Sequence, residues 1–467
     1  MPTDARDARP PYISGMIRPR IVNSSRTAWH RGWTSVTGDA RATAGHLGAL
    51  LTAVLLAAIP GTPVALRAQG PAPAGDPGWP LYLVHANVVD GVTATVIRDA
   101  TIVIEGSRIT RIAPGLSTPR GGGVRVIDLA GRWIAPGLID AHTHIATLAN
   151  ARRALFSGVT TIRSASVPAY QDVAMRAQAR AGQIVAPDVL ATGVFVTPSL
   201  GETVLADPRL GALAGGVTTT DQLRALVRIN LDRGVDWIKT RGTERAGLPD
   251  TDPRKQVYDQ AELRAIVEEA ATKNVPVMAH AHGDEGAYAA VAAGVKSIEH
   301  GTYLSDSTLR LMKAKGTWFV PTLSTVVDLT QPGGDYDDPV LALRGQHMLP
   351  RLEDAIRRAH ALGVRIAAGA DTDYGAEGTT RIAHEVMRFR ALGLSPVEAL
   401  ATATSGAAEL LGIAARTGRV AAGMEADLIV LEANPLEDPM ALQDVLVVIT
   451  DGRVVLNRTP FGRQGAR

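Results

Sequence analysis

The stretch "GLIDAHTHI", Gly137 to Ile145, follows the apolar run "RWIAP" and sets two imidazoles, His142 and His144, at the end of what reads as a buried strand. Residues i and i+2 of a strand face the same side, so both rings can meet one ion. Outward from this stretch, between about residues 137 and 416, apolar β-rich runs alternate with helical ones, the mark of a parallel α/β fold. Eight runs qualify as strands: 136–142, 159–163, 188–195, 235–239, 275–280, 296–300, 317–322 and 364–370. Amphipathic helices such as 259–273 and 350–362 lie between them, and Ser395, Pro396 and Glu398 supply an N-cap, a first-turn proline and a capping-box acid for a further helix. Eight strand–helix units predict a (β/α)8 TIM barrel with its active site at the C-terminal ends of the strands.

On either side of the barrel the texture changes to short strands separated by Gly and Asp/Ser turns, over 81–136 and again over 417–458. Neither piece is large enough to stand alone, so the two ends are expected to build one composite β-sandwich, with 137–416 as the catalytic barrel. The segment 69–80, "QGPAPAGDPGWP", reads as a linker. Before it, the apolar "GALLTAVLLAAI" (48–59) is preceded by Arg18, Arg20, Arg26, Arg31 and Arg41, the layout of an export leader over 1–68. Cleavage is expected after Ala68, with Met16 as an alternative start. The apolar core is short for a membrane span, although an uncleaved anchor is the other reading. The expected location is periplasmic or secreted.

Of the 48 basic and 46 acidic residues, the leader holds 8 and 3, which leaves 40 and 43. The remaining chain is therefore slightly acidic, and nothing in its charge points to nucleic acid. With no cysteine among 467 residues, thiolate metal sites, cysteine nucleophiles and disulfides are excluded. Any metal must be held by nitrogen and oxygen.

Placed on the predicted strands, the ionisable residues fall at one rim. His142 and His144 close the first strand, Lys239 ends the fourth, His280 the fifth and His300 the sixth, and Asp371 follows the eighth. A lone His-x-His says little, but this convergence reads as a metal site. Lys239, one of only six lysines, follows the apolar "VDWI". It either snorkels to solvent or, desolvated and beside cations, becomes a neutral amine able to take up carbon dioxide as a bridging carbamate. Four imidazoles, a carbamate and an Asp suit two borderline divalent ions, most simply Zn2+. Asp371 can ligate and also accept the water proton. His282 faces the same mouth and is read as polarising the scissile carbonyl or binding substrate, with plain solvent exposure as the alternative. Glu299 is expected to point away from the site, into the layer between barrel and helices, as a structural partner.

The segments "PGLIDAHTH", "WIK", "HAHG", "IEHGTYL" and "AAGADTD" resemble the amidohydrolase superfamily, in particular its imidazolonepropionase-like branch with metal-dependent Xaa-Pro dipeptidases, related carboxypeptidases and ochratoxinase. The resemblance spans Leu81 to Asn457. It implies a binuclear zinc site in which His142, His144 and Asp371 bind one metal, His280 and His300 the second, and N6-carboxylated Lys239 bridges them. One departure is Ser164, which follows Arg163 where the branch often carries Asp. The implied reaction is hydrolysis of the amide bond of a dipeptide or N-acyl amino acid, with a small-molecule amide as partner and a homo-oligomer as the assembly. The product carboxylate needs an anchor, for which Arg241, Tyr258 and Tyr303 stand on the loops after strands four and six. Segments 196–218 and 324–349 are expected to wall the pocket. A cyclic-amide, lactone or phosphotriester hydrolase on the same metals, or a silent binding protein that keeps the barrel, remain the competing classes.

Overall fold

The computed structural model describes residues 78–119, 123–334 and 336–459, so the expected leader and most of the expected linker lie outside them. Fifteen strands are formed among these residues: β1 Leu81–Val89, β2 Val96–Glu105, β3 Arg108–Pro114, β4 Arg125–Asp128, β5 Trp133–Pro136, β6 Leu138–Thr143, β7 Val159–Ser164, β8 Asp188–Leu190, β9 Ile238–Arg241, β10 Val277–Ala281, β11 Ser297–His300, β12 Trp318–Val320, β13 Leu428–Leu431, β14 Val445–Thr450 and β15 Arg453–Asn457.

Both ends of the chain enter one eight-stranded sheet, in the order β15-β14-β13-β5-β1-β2-β3, with β4 also paired to β1. The sheet is mixed rather than antiparallel, because β1 forks. Its first half pairs in parallel with β4 and its second half with β5. The fork falls at His85, whose φ of +55° interrupts the β1 register between Leu83 and Ala86. A single path also replaces the two separate sheets expected of a sandwich. The path folds over on itself: the β2–β3 turn meets the β14–β15 turn, where a Cβ on Gly452 (φ +73°) would overlap the Gly106 carbonyl. Only glycine combines that close approach with a left-handed backbone. The fold-over encloses an apolar core of Leu83, Ile102, Ile104, Leu428, Val430 and Val447.

The central region is α/β and TIM-barrel-like. Two parallel ladders are present, β6-β7-β8 and β9-β10-β11-β12. Their strands are buried on both faces, as parallel strands covered by helices must be. Ile139, Trp237, Met278, Trp318 and Val320 form an inner cluster, while Ile162, Ile238, Ile298 and Phe319 pack outward against helix residues such as Leu226, Ile266, Leu309 and Ile356. Two expected strands are cut short. Of 188–195 only Asp188–Leu190 pairs regularly, and 364–370 makes only an isolated bridge, Ile366 to Phe319. Backbone hydrogen bonds nevertheless continue past the ladders, from Asp236 N to Ala191 O (2.8 Å), Val196 N to Lys239 O (2.9 Å), Phe319 N to Arg365 O (2.9 Å), Ala141 N to Ala368 O (3.0 Å) and Asp371 N to His142 O (2.8 Å).

The helices follow their capping signals. Gln260–Ala271 and Pro396–Thr402 both start with reciprocal capping boxes, the latter formed by Ser395 and Glu398. The helix expected to begin at Pro350 instead runs from Pro339 to Ala361, with Asp338 as N-cap and Pro350 in its interior. With the helix Leu323–Asp328, this makes most of the segment 324–349 helical. The segment 196–218 carries two short 3-10 turns, Gly201–Ala206 and Pro208–Leu213. No helix among the described residues is long and apolar enough to cross a membrane.

Candidate metal centre

The C-terminal ends of β6, β9, β10 and β11 and the stretch after Ala370 bring His142, His144, Lys239, His280, His282, His300 and Asp371 together. One potential ligand atom from each of His142, His144 and Asp371 lies within 4.8 Å of the others, and the same holds for His280, His282 and His300. His142 joins the two groups, with its ring centroid 5.5 Å from that of His144 and 5.0 Å from that of His300. Lys239 Nζ stands 3.5 Å from His142 Nε2. All six side chains expected to ligate metal are thus gathered at one place.

Each of the five imidazoles is tethered through one ring nitrogen. His142 Nδ1 donates to Glu299 Oε2 at 2.7 Å, His144 Nδ1 to the Ser166 carbonyl at 2.9 Å and His280 Nε2 to the Glu244 carbonyl at 2.9 Å. His282 Nδ1 shares a hydrogen bond with Thr302 Oγ1 at 2.9 Å, and His300 Nδ1 with Thr322 Oγ1 at 2.7 Å. A tether of this kind fixes ring orientation and tautomer and leaves the second nitrogen as the ligand, the arrangement usual for metal-binding histidines. For His142 and His144 that second nitrogen points at Asp371 Oδ1, at 3.3 and 3.1 Å.

Electrostatics keep these groups in ligand form. Burial, reinforced by neighbouring cationic or imidazole groups, holds His280 and His300 far below the usual histidine range and brings His282 down to about 3. Neutral imidazole is the state that donates a lone pair. Burial alone would raise Asp371, but His142, His144 and His300 reverse this and hold its carboxyl well below the ordinary range. Burial lowers Lys239 to about 8, against the opposing pull of Glu299 and Asp371. Lys239 is 2% exposed, so the snorkelling reading does not apply. His282 is buried as well, which removes the solvent-exposed reading for it. Its ring stacks on His300 at 17° and 4.8 Å. In-plane lone pairs of near-parallel rings run side by side, so His282 suits a role beside the metal-facing nitrogens better than a shared ion with His300.

Glu299 does not point away from the site. It is fully buried against His142, and both its oxygens accept from Arg163 Nη2 at 3.0 Å, while Ser297 Oγ donates to Oε1 at 2.5 Å. Strand alternation fails because His300 has φ +74°, which lets successive residues 299 and 300 both serve the centre. Arg163, whose guanidinium stacks over Trp237 at 4.5 Å, and His142 overcome the burial penalty and hold Glu299 at about 2. Ser164 takes no part in the ligand set. It accepts from Ser166 N at 3.2 Å and from Thr192 Oγ1 at 3.3 Å.

A cavity of about 620 Å³ opens beside His144 and is lined by Phe195, Leu200, Arg241, Arg245 and Leu248, among others. Of the three expected substrate anchors only Arg241 lines it. Tyr258 is 2% exposed, and its hydroxyl donates to the Val217 carbonyl at 3.0 Å, so it serves packing. Tyr303 turns toward His347, at 6.0 Å between ring centroids, and lines a separate hollow with Arg351 and Arg358. The segment 196–218 does wall the cavity, through Thr197 to Leu200 and Thr203. Phe195, Arg245 and the tethering threonines were missed in the sequence. "EHGT" and "FVPT" carry those threonines two residues past the strand ends, but no spacing rule singles them out.

Known proteins resemble this chain over the same region. Ochratoxinase from Aspergillus niger is 33% identical over 286 residues, which cover 56% of this chain and 58% of that protein's length. Imidazolonepropionase from Rhizobium meliloti is 29% identical over 387 residues, covering 71% of this chain and 85% of that one. The crystal structure of a Xaa-Pro dipeptidase with methionine bound in its active site superposes with a TM-score of 0.73 at 27% identity, covering 81% of this chain and all of that one. The sequence matches the amidohydrolase family over residues 133–455, more than half of its length, and the chain belongs to that family.

Proposed function

We propose that this chain is a binuclear, metal-dependent amidohydrolase that cleaves the amide bond of dipeptides or N-acyl amino acids. The observation that carries this reading is the set of five imidazoles, each tethered by one nitrogen and gathered with Lys239 and Asp371 at the strand ends. Membership of a generally metal-dependent family and the likeness to ochratoxinase and a Xaa-Pro dipeptidase support the substrate class. Residues 137–416 would form a closed (β/α)8 barrel, with 365–372 completing the ring between β12 and β6, and 81–136 with 417–458 the accompanying β domain.

His142, His144 and Asp371 would hold one divalent cation, His280 and His300 the second, with a carboxylated Lys239 between them; such ions, most simply zinc, polarise a carbonyl and make water a nucleophile near neutral pH. The chain's own groups do the rest. Asp371 stays ionised and accepts the proton of the attacking water, then delivers it to the leaving nitrogen. His282, neutral and held by Thr302, offers its other nitrogen to the scissile carbonyl or the substrate. Glu299 fixes the His142 tautomer, and Arg163 balances its buried charge.

The test is turnover by zinc-loaded protein on Xaa-Pro dipeptides, Xaa-aromatic dipeptides and N-acyl amino acids beside lactones, cyclic amides and phosphotriesters. Release of free amino acid from the first three sets is expected; turnover confined to the others would replace this reading with the alternative hydrolase class. Glu299→Gln keeps a hydrogen-bond partner for Arg163 but removes the charge that orients His142. Its metal affinity, read by chelator competition, is expected to fall about 10- to 100-fold. Unchanged affinity would make Glu299 a packing residue only.

A further inference from the structure

Thr322 occupies an N-cap position without capping. It precedes the helix Leu323–Asp328 in a left-handed conformation, φ +50° and ψ +46°, and its side chain makes no cap hydrogen bond. A threonine at an N-cap ordinarily accepts from the second or third N–H of its own helix. Here the side chain is fully buried and its hydroxyl is turned to His300 Nδ1, at 2.7 Å. The first N–H groups of the helix are therefore left to another partner.

Glu385 is that partner. It stands in the first turn of the helix Ile382–Ala391 and is fully buried. Its Oε2 accepts from Leu323 N at 3.1 Å and its Oε1 from Ser324 N at 2.6 Å. Burying a carboxylate is costly unless such hydrogen bonds hold it, so its place in the core is tied to the start of this helix. Leu323, Val326, Val386 and Phe389 belong to one apolar core, which packs the two helices together behind the hydrogen bonds. The same first turn also reaches the other group of candidate ligands. Thr325 Oγ1 donates to the carbonyl of Ala370, the residue before Asp371, at 3.1 Å. Residues 322 to 325 thus tie an outer helix to His300 on one side and to the backbone ahead of Asp371 on the other.

We propose that Glu385 is a positioning residue for the metal centre: it caps the helix in place of Thr322 and so leaves the threonine hydroxyl free to fix the His300 ring. This rests on the reading of His300 as a metal ligand. It goes beyond that reading by giving a role to a buried acid that touches neither a candidate ligand nor the cavity.

The test is a double-mutant cycle on the full chain. Glu385→Gln keeps the size of the side chain but leaves one accepting oxygen where two N–H groups need one each. Thr322→Val removes the hydroxyl and keeps its shape. Zinc affinity, read by chelator competition, is expected to fall about tenfold in each single variant, the scale for a partner that orients a metal-binding histidine. In the double variant it should fall no further than in the weaker single one, because both substitutions cut one relay. Losses that multiply would overturn the proposal, since Glu385 would then act on the centre without Thr322, and so would unchanged affinity in Glu385→Gln. A second readout needs no metal. In metal-free chain carrying 15N-histidine, the His300 ring signal, identified by its loss in His300→Asn, should shift in both single variants; a shift with Thr322→Val and none with Glu385→Gln overturns the relay. A chain that binds no zinc yet shows both shifts would sink the proposed function and leave the relay standing. Should Glu385→Gln not fold, Glu385→Asp, which keeps the charge and is one methylene shorter, is carried through the same cycle. Failure of both to fold would make Glu385 a residue of stability and overturn the proposal.

Discussion

Lys239→Ala is expected to lose most of its bound metal and nearly all activity, with part of both restored by formate, acetate or propionate. The expectation follows from where the amine sits. Its Nζ lies 3.5 Å from His142 Nε2 on a side chain that is buried, and among the described residues no carboxylate pairs with it. An ordinary lysine there would place a positive charge among would-be metal ligands. A neutral amine that has taken up carbon dioxide would instead place two anionic oxygens there. Burial lowers Lys239 to about 8, so the neutral, reactive fraction grows as pH rises from 7 to 9. The neighbouring His280, His282 and His300 are neutral throughout that range and do not mask the trend. Zinc uptake by metal-free protein at fixed dissolved carbon dioxide should therefore be faster at pH 9 than at pH 7. A short carboxylic acid can enter the space left by the truncated side chain and supply the missing oxygens, which a merely structural lysine would not permit. Metal content measured by mass spectrometry decides the matter: a full complement of metal in the alanine variant would sink the carbamate.

The gathering of the candidate ligands was legible in the sequence because side chains at strand ends obey simple geometry. His142 and His144 are two residues apart on one strand, and Lys239, His280 and His300 each close an apolar run. What fixed their orientation was not legible. Strand alternation sends Glu299 away from the centre, yet His300 at φ +74°, Thr322 at +50° and Asp371 at +48° all leave the extended region where the strands end. Non-glycine residues in that conformation cost about 1 to 3 kcal/mol each and persist where surrounding contacts enforce them. Here the contacts include the His300–Thr322 hydrogen bond and the three-way hold of Asp140, which accepts from His142 N at 3.1 Å, Ala370 N at 3.0 Å and Tyr374 Oη at 2.8 Å. Periodicity cannot report a backbone that breaks period.

The same limit explains the substrate anchors. Arg241 closes β9 and Tyr258 ends the loop that follows, with equal claims by sequence, and only packing separates them: the Tyr258 hydroxyl finds the Val217 carbonyl, while the Arg241 Nε finds nothing. The fork in β1 and the fold-over at Gly452 escaped for a related reason. The fork rests on Leu81 pairing with Arg125 and Asn87 with Trp133, the fold-over on segments far apart in the chain such as Arg108 with Glu425, and local texture carries no record of either pairing.

Asp371→Asn is expected to retain much of its metal yet lose turnover by about 10²- to 10⁴-fold, the usual contribution of a positioned proton acceptor. Asparagine keeps one oxygen that can face His142 and His144, so the site is not dismantled. It cannot take a proton. In the native chain His142, His144 and His300 hold the Asp371 carboxyl far below the ordinary range, overcoming the effect of burial, so it is ionised at any working pH and always ready to accept. That strong hold raises an objection: a carboxylate with so low a pKa is a weak base. The objection weakens because divalent cations held by these ligands would also make the water a stronger acid, so that little basicity is asked of the carboxylate. The rate with metal bound should accordingly fall at low pH, where metal ligands and Asp371 protonate together, and the asparagine variant should lack any inflection owed to residue 371. The decisive comparison is turnover per bound zinc in the two proteins: an unchanged value would remove Asp371 from proton transfer and leave it as a ligand alone.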